Sequence, residues 1–168
     1  MAYGKSRNID FYVVTWNIFV YGTDDRYGIT DDIGNEVTKD YFRKSVEQMF
    51  LTYPDLAGIG LTTGENFGEA DFMQKEEWVY ATYAKGTMDA AAKQPGREIT
   101  FLHRQHMTGA LEIAEKFNPL IQTDNIHFLF SFKYAKAHVF SSIYQPFCNQ
   151  FVEEIHGMKT IWTLRNDD

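Results

Sequence analysis

The side chains with most chemical promise in this sequence stand at the ends of short apolar runs. Glu65, beside Asn66, follows the run 56–63 (LAGIGLTT). A carboxylic acid placed just past a buried strand can give or take a proton at a reacting oxygen, which is the work of a general acid/base. A helix is expected soon after it, so a helix-cap or loop carboxylate is the competing reading. Asp167 and Asp168 follow the last apolar run and are the acids available to act opposite Glu65; Asp24 and Asp25 lie in the first long loop and suit the task less. Arg104 and Arg165 end strands as well. Their planar guanidinium forks match a carboxylate on a ligand, or equally an ion pair with a loop acid.

His103 and His106 invite a metal reading, but residues three apart on an extended strand point to opposite faces, and no carboxylate nearby completes a ligand set. No metal and no cofactor is expected, and one of the two histidines, His106, is placed with Arg104 among ligand contacts. Lys133 ends the apolar run FSFK, where a desolvated amine can act as an electrophile or pair with Glu65 or an Asp. Trp16 beside Asn17 offers a ring to stack on and an amide to bind hydroxyls, although a tryptophan in a strand also serves as core. Ser141, Ser142 and Cys148 lack a G-x-S-x-G surround, which argues against serine or cysteine hydrolase chemistry.

The elements that must position these groups alternate in type. Residues 10–17 (DFYVVTWN) read as a strand that empties into a polar loop, and Thr38 then caps an amphipathic helix carrying Phe42, Val46, Met49 and Phe50 up to Pro54. The run 56–63 is a second strand. A helix over 71–93 follows, with Trp78, Ala81, Ala84, Met88 and Ala91 on one side and Pro95-Gly96 beyond it. Residues 98–104 (EITFLHR) form a third strand, and Thr108 caps a helix ending before Pro119. Residues 126–133 (IHFLFSFK), a helix over 146–155 and residues 159–165 (KTIWTLR) close the series. Strands separated by helices pair in parallel through right-handed crossovers, and near-continuous apolar strands are buried on both faces. The class is α/β. A doubly wound nucleotide-binding sheet is disfavoured because Gly58, Gly60 and Gly64 do not make a G-x-G-x-x-G loop.

With 168 residues, the chain fits one domain but falls short of the roughly 250 residues of a closed eight-stranded α/β barrel. Apolar residues at 44% and charged residues at 23% place it among folded chains. A net charge of -7 without any basic run excludes a nucleic-acid backbone as partner. One cysteine rules out an internal disulfide framework. No stretch reaches the roughly 18 apolar residues of a membrane span, and residues 1–10 lack an apolar targeting core, so a soluble, untargeted chain is expected, its compartment undetermined.

The segments VVTWNIFV, YPDLAGIGLTTGEN, ITFLHRQH, FSFKYAKAHVFSS and IWTLRNDD resemble consecutive strand ends of a bacterial glycoside hydrolase barrel of the α-glucuronidase type. That resemblance covers nearly the whole chain. It implies a parallel-stranded partial (β/α) barrel of about five units over 1–168, and a sugar site at the C-terminal strand ends. Glu65 is the implied acid/base, Asp167 its partner, and Trp16, Asn17, Asn66, Arg104, His106, Lys133 and Arg165 the lining. Cleavage of a glycosidic bond needs a second carboxylate, about 5 Å away in retaining enzymes and about 6.5 to 9.5 Å away in inverting ones. Five strands leave open edges and an uncovered apolar face, so self-association into a barrel-like homodimer is expected. Two functions follow: a self-associating fragment that keeps a carbohydrate-site rim, or an active glycosidase on a uronic-acid-containing or related glycoside.

Overall fold

The computed structural model describes residues 1–16, 18–23, 26–106, 108–134, 143–155 and 158–163. A helical turn, α1 (Ala2–Lys5), precedes β1 (Phe11–Trp16), and α2 (Glu36–Thr52) leads to β2 (Leu56–Thr62). Next, α3 (Phe72–Val79) runs through a π-helical stretch (Tyr80–Ala84) into α4 (Lys85–Lys93) and on to β3 (Ile99–Arg104). The chain continues through α5 (Ala110–Ile121), β4 (Ile126–Lys133), α6 (Pro146–Glu154) and β5 (Lys159–Thr163).

The five strands form one sheet in chain order, each parallel to its neighbours. Because that order never reverses, successive right-handed crossovers advance in one direction and lay the helices on one face. This confirms the α/β expectation. A doubly wound sheet reverses its order at a switch point, whereas a barrel does not, so these β-α units are consistent with part of a barrel.

Alternation along the strands separates the two faces. In β3, Ile99, Phe101 and His103 are buried, while Thr100, Leu102 and Arg104 are half-buried. The buried set meets the helices: the Phe117 ring of α5 lies 5.7 Å from Phe101 and 5.6 Å from Phe128, centroid to centroid, and Phe151 of α6 stacks on Phe130 and Phe132. The other face carries a row in register across the whole sheet: Trp16, Thr62, Arg104, Ser131 and Ile161. Close strand packing depends on Gly58, where an added Cβ would overlap the Thr100 carbonyl.

Local chemistry departs from expectation at several ends. Asn35, not Thr38, caps α2, its side chain accepting from the N–H groups of Val37 and Thr38 at 2.9 and 3.2 Å. Thr38 lies inside the helix, buried, with its hydroxyl donating to the Thr30 carbonyl at 2.8 Å. Gly109 takes the N-cap position of α5 in place of Thr108, and that helix continues past Pro119 to Ile121. A proline in the last turn removes only one main-chain hydrogen bond, and Leu120 and Ile121 gain apolar contacts in exchange.

Candidate functional site

Three consecutive strand ends bring Glu65, His106 and Trp16 together. Glu65 lies in the loop after β2 between Gly64 and Asn66, whose φ angles are 103° and 60°. Glycine takes that left-handed region freely and asparagine more easily than most residues, so the chain turns sharply around the acid. The helix beyond has its own cap: Asp71 accepts from the Gln74 N–H at 2.8 Å, and the Gln74 side chain accepts from the Asp71 N–H at 2.9 Å. Glu65 is therefore not the helix cap.

His106 stands two residues beyond β3, its Nε2 2.7 Å from Glu65 Oε1. The contact is partly open to water, with side-chain exposures of 23% for His106 and 41% for Glu65. An imidazole and a carboxylate at this separation share a hydrogen bond, and both are side-chain types that general acid–base chemistry uses. The Trp16 indole meets the His106 ring edge-on, centroids 6.3 Å apart and planes at 83°. Behind it, the Tyr83 hydroxyl lies 3.4 Å from the Trp16 carbonyl, and burial raises the Tyr83 phenol well above its ordinary range, so it stays a donor.

Arg104 sits in the cross-sheet row on the face away from the helices. Its Nη1 donates to Thr62 Oγ1 at 3.2 Å, and no carboxylate among the described residues forms an ion pair with it. Lys133, half-buried at the end of β4, lines one cavity together with His106. Asn17, Arg165, Asp167 and Asp168 lie outside the described residues, as do Asp24, Asp25, Ser141 and Ser142. Burial raises the Cys148 thiol, which lowers its reactivity. Among the described residues no group of three His, Cys, Asp or Glu side chains is placed to hold a metal ion, and no helix is long and apolar enough to cross a membrane.

His103 goes elsewhere. It faces the helices, fully buried, with Nε2 2.7 Å from Oε2 of an equally buried Glu76 on α3. Sequence reasoning missed Glu76. Its signal was spacing: Glu76, Val79 and Tyr83 recur at three and four residues, which puts a carboxylate on the buried stripe of the helix.

No family model matches the chain, and no curated protein is similar to it at a significant level. Among solved structures it is similar to a GH138 enzyme targeting pectin rhamnogalacturonan II, with a TM-score of 0.66 and 27% identity over 80% of this chain. The match spans 16% of that enzyme, so the chain corresponds to a small part of its length. The fold is thus glycoside hydrolase-like.

Proposed function

We propose that the chain is a self-associating part of a glycoside hydrolase barrel whose strand-end rim binds carbohydrate, with Glu65 as general acid/base wherever the site is complete. The observation that carries this reading is the Glu65–His106 contact at 2.7 Å, at the end where parallel α/β folds build their sites. Trp16 supplies a ring beside it, and Arg104 a guanidinium on the open face of the sheet. A cation with no carboxylate partner among the described residues suits a uronate, which favours the acidic sugars of an α-glucuronidase-type substrate over neutral ones. The likeness to an enzyme named for a pectic polysaccharide agrees with that choice.

Self-association is supported by β1, which pairs only with β2 among the described residues. Its Phe11, Tyr12, Val13, Val14 and Trp16 are all exposed, by 39 to 57%. An edge strand of that composition invites another backbone. A second copy, or Asp167, is the proposed source of the opposing carboxylate that hydrolysis requires.

The test measures release of 4-nitrophenol from aryl uronides and aryl neutral glycosides by the wild type and Glu65→Gln, with sedimentation velocity on the same samples. The expected result is a concentration-dependent dimer and uronide turnover that falls about 100-fold or more in the variant. Turnover that Glu65→Gln leaves intact defeats the assignment, and a cooperatively folded monomer at micromolar concentration defeats the dimer.

A further inference from the structure

A cavity of about 540 Å³ opens beside His106, between the loop after β3, the first turn of α5 and one flank of α6. That size lies within the roughly 300–1,000 Å³ of small-molecule sites. Aromatic rings form part of its wall: Phe147 and Phe151 of α6, centroids 4.5 Å apart, and Phe72 from the start of α3. The polar lining mixes signs, with the Lys133 amine against the carboxyl groups of Glu112 and Glu154, and the His106 ring beside them.

Two side-chain amides complete the lining, and each has one N–H engaged. Gln105 Nε2 donates to the Thr108 carbonyl at 2.6 Å, and Gln150 Nε2 donates to Glu154 Oε1 at 2.8 Å. An amide held this way keeps its oxygen as an acceptor and a second N–H as a donor. An anion in the cavity would meet two carboxylates, a cation would meet Lys133, and an apolar ligand would strip water from all of these groups without replacing it. A hydroxyl donates and accepts, so a ring bearing several hydroxyls satisfies both kinds of lining, and the C–H face of a pyranose fits an aromatic wall.

We propose that this cavity binds a neutral pyranose. His106 borders the cavity and also contacts Glu65, so a sugar held there is placed to be the group that departs when Glu65 protonates the linking oxygen. That last step rests on the proposed acid/base role; the binding does not.

The probes are methyl α-D-galactopyranoside, methyl α-D-glucopyranoside and methyl α-L-rhamnopyranoside, with sodium galacturonate as the anionic contrast, followed by amide ¹H–¹⁵N shifts of the full chain. Saturable shifts at Gln105, Ala110 and Gln150 are expected with at least one neutral glycoside, in the millimolar range. Leu111, 60% exposed at the cavity, accepts a larger side chain without disturbing the core. Leu111→Trp should fill the space and weaken binding about tenfold, roughly 1.4 kcal/mol, with the remaining amide spectrum unchanged. Gln150→Ala should weaken it in the same direction. The proposal is overturned if none of the three glycosides gives saturable shifts at these amides up to about 100 mM, if Leu111→Trp leaves binding intact, or if galacturonate binds there as well as the neutral sugars. Glu65 is not part of the lining, so cavity binding without Glu65-dependent hydrolysis would defeat the catalytic reading alone.

Discussion

Replacing Glu76 by leucine should unfold this protein more readily than any surface substitution, and replacing His103 by phenylalanine at the same time should restore most of the loss. Both side chains are fully buried, 2.7 Å apart, and the imidazole is enclosed by Phe117 and Phe130 with centroids at 4.9 and 6.1 Å. Removing one member leaves the other without its partner in an apolar setting, which costs about 3–5 kcal/mol. The pair is also incompletely satisfied: Glu76 Oε1 and His103 Nδ1 have no hydrogen-bond partner among the described residues. Each such atom carries a desolvation cost of roughly 1–3 kcal/mol, and the double variant removes both. Glu76→Leu with His103→Phe should therefore lie within about 1 kcal/mol of wild type, or above it. The single variants should lose roughly 6–20 °C in Tm, taking about 2–4 °C per kcal/mol for a chain of this size. Urea titrations of all four proteins, read by circular dichroism, give the coupling energy. Single variants that each cost less than about 1 kcal/mol, or a double variant whose loss equals the sum of the two, would refute the reasoning.

Gly58→Ala should be destabilising by about 1–3 kcal/mol or more, because the added Cβ overlaps the Thr100 carbonyl, a main-chain atom that cannot rotate away; thermal melts against Gly96→Ala, where nothing lies within 4 Å, supply the control. Stability should also decline on the alkaline side. Burial raises the Cys148 thiol and the Tyr83 phenol above their ordinary values of 9.0 and 10.0, so above those values the unfolded chain releases protons that the native state retains. Fewer bound protons in the unfolded state mean that stability falls as pH rises through this window. Cys148→Ala and Tyr83→Phe should each flatten the fall measured by urea titration between about pH 8 and 11, and an unchanged slope in both would contradict the assignment.

β2 and β4 were legible because burial leaves its mark in composition: LAGIGLTT and IHFLFSFK are nearly free of charge, and both are strands in the structure, whereas β1, expected to be buried on both faces, is an exposed edge. The grouping of Glu65 with His106 was legible only as a shared rim, since their contact joins residues 41 apart. Helix ends were less so. Asn35 and Thr38 are both competent caps, and the choice fell to Asn35 because Thr38 is engaged with Thr30. The π-helical stretch leaves no periodic trace, because Val79, Tyr83, Gly86 and Ala90 stay buried at spacings of three and four through it. His103 was weighed with His106 only as a metal ligand, and its buried partner on α3 was invisible to a reading of strand ends alone.

That buried pair bears on the site through strand parity. In β3 alternate residues face opposite ways, so His103 and Arg104 occupy different environments only while the register holds. A slip of one residue would drive the Arg104 guanidinium among Phe117, Phe128 and Phe130 and carry His103 to the open face. The contact of His103 with Glu76 fixes β3 against α3, and the open-face row of Trp16, Thr62, Arg104 and Ser131 follows from that choice. His106 follows β3 by two residues, so its distance to Glu65 depends on β3 being held in place. Glu76→Leu should accordingly lengthen or break the His106–Glu65 contact even in the fraction that stays folded. The ¹⁵N shifts of the His106 ring report that contact directly, and unchanged His106 shifts in folded Glu76→Leu would show that the rim is positioned without the pair.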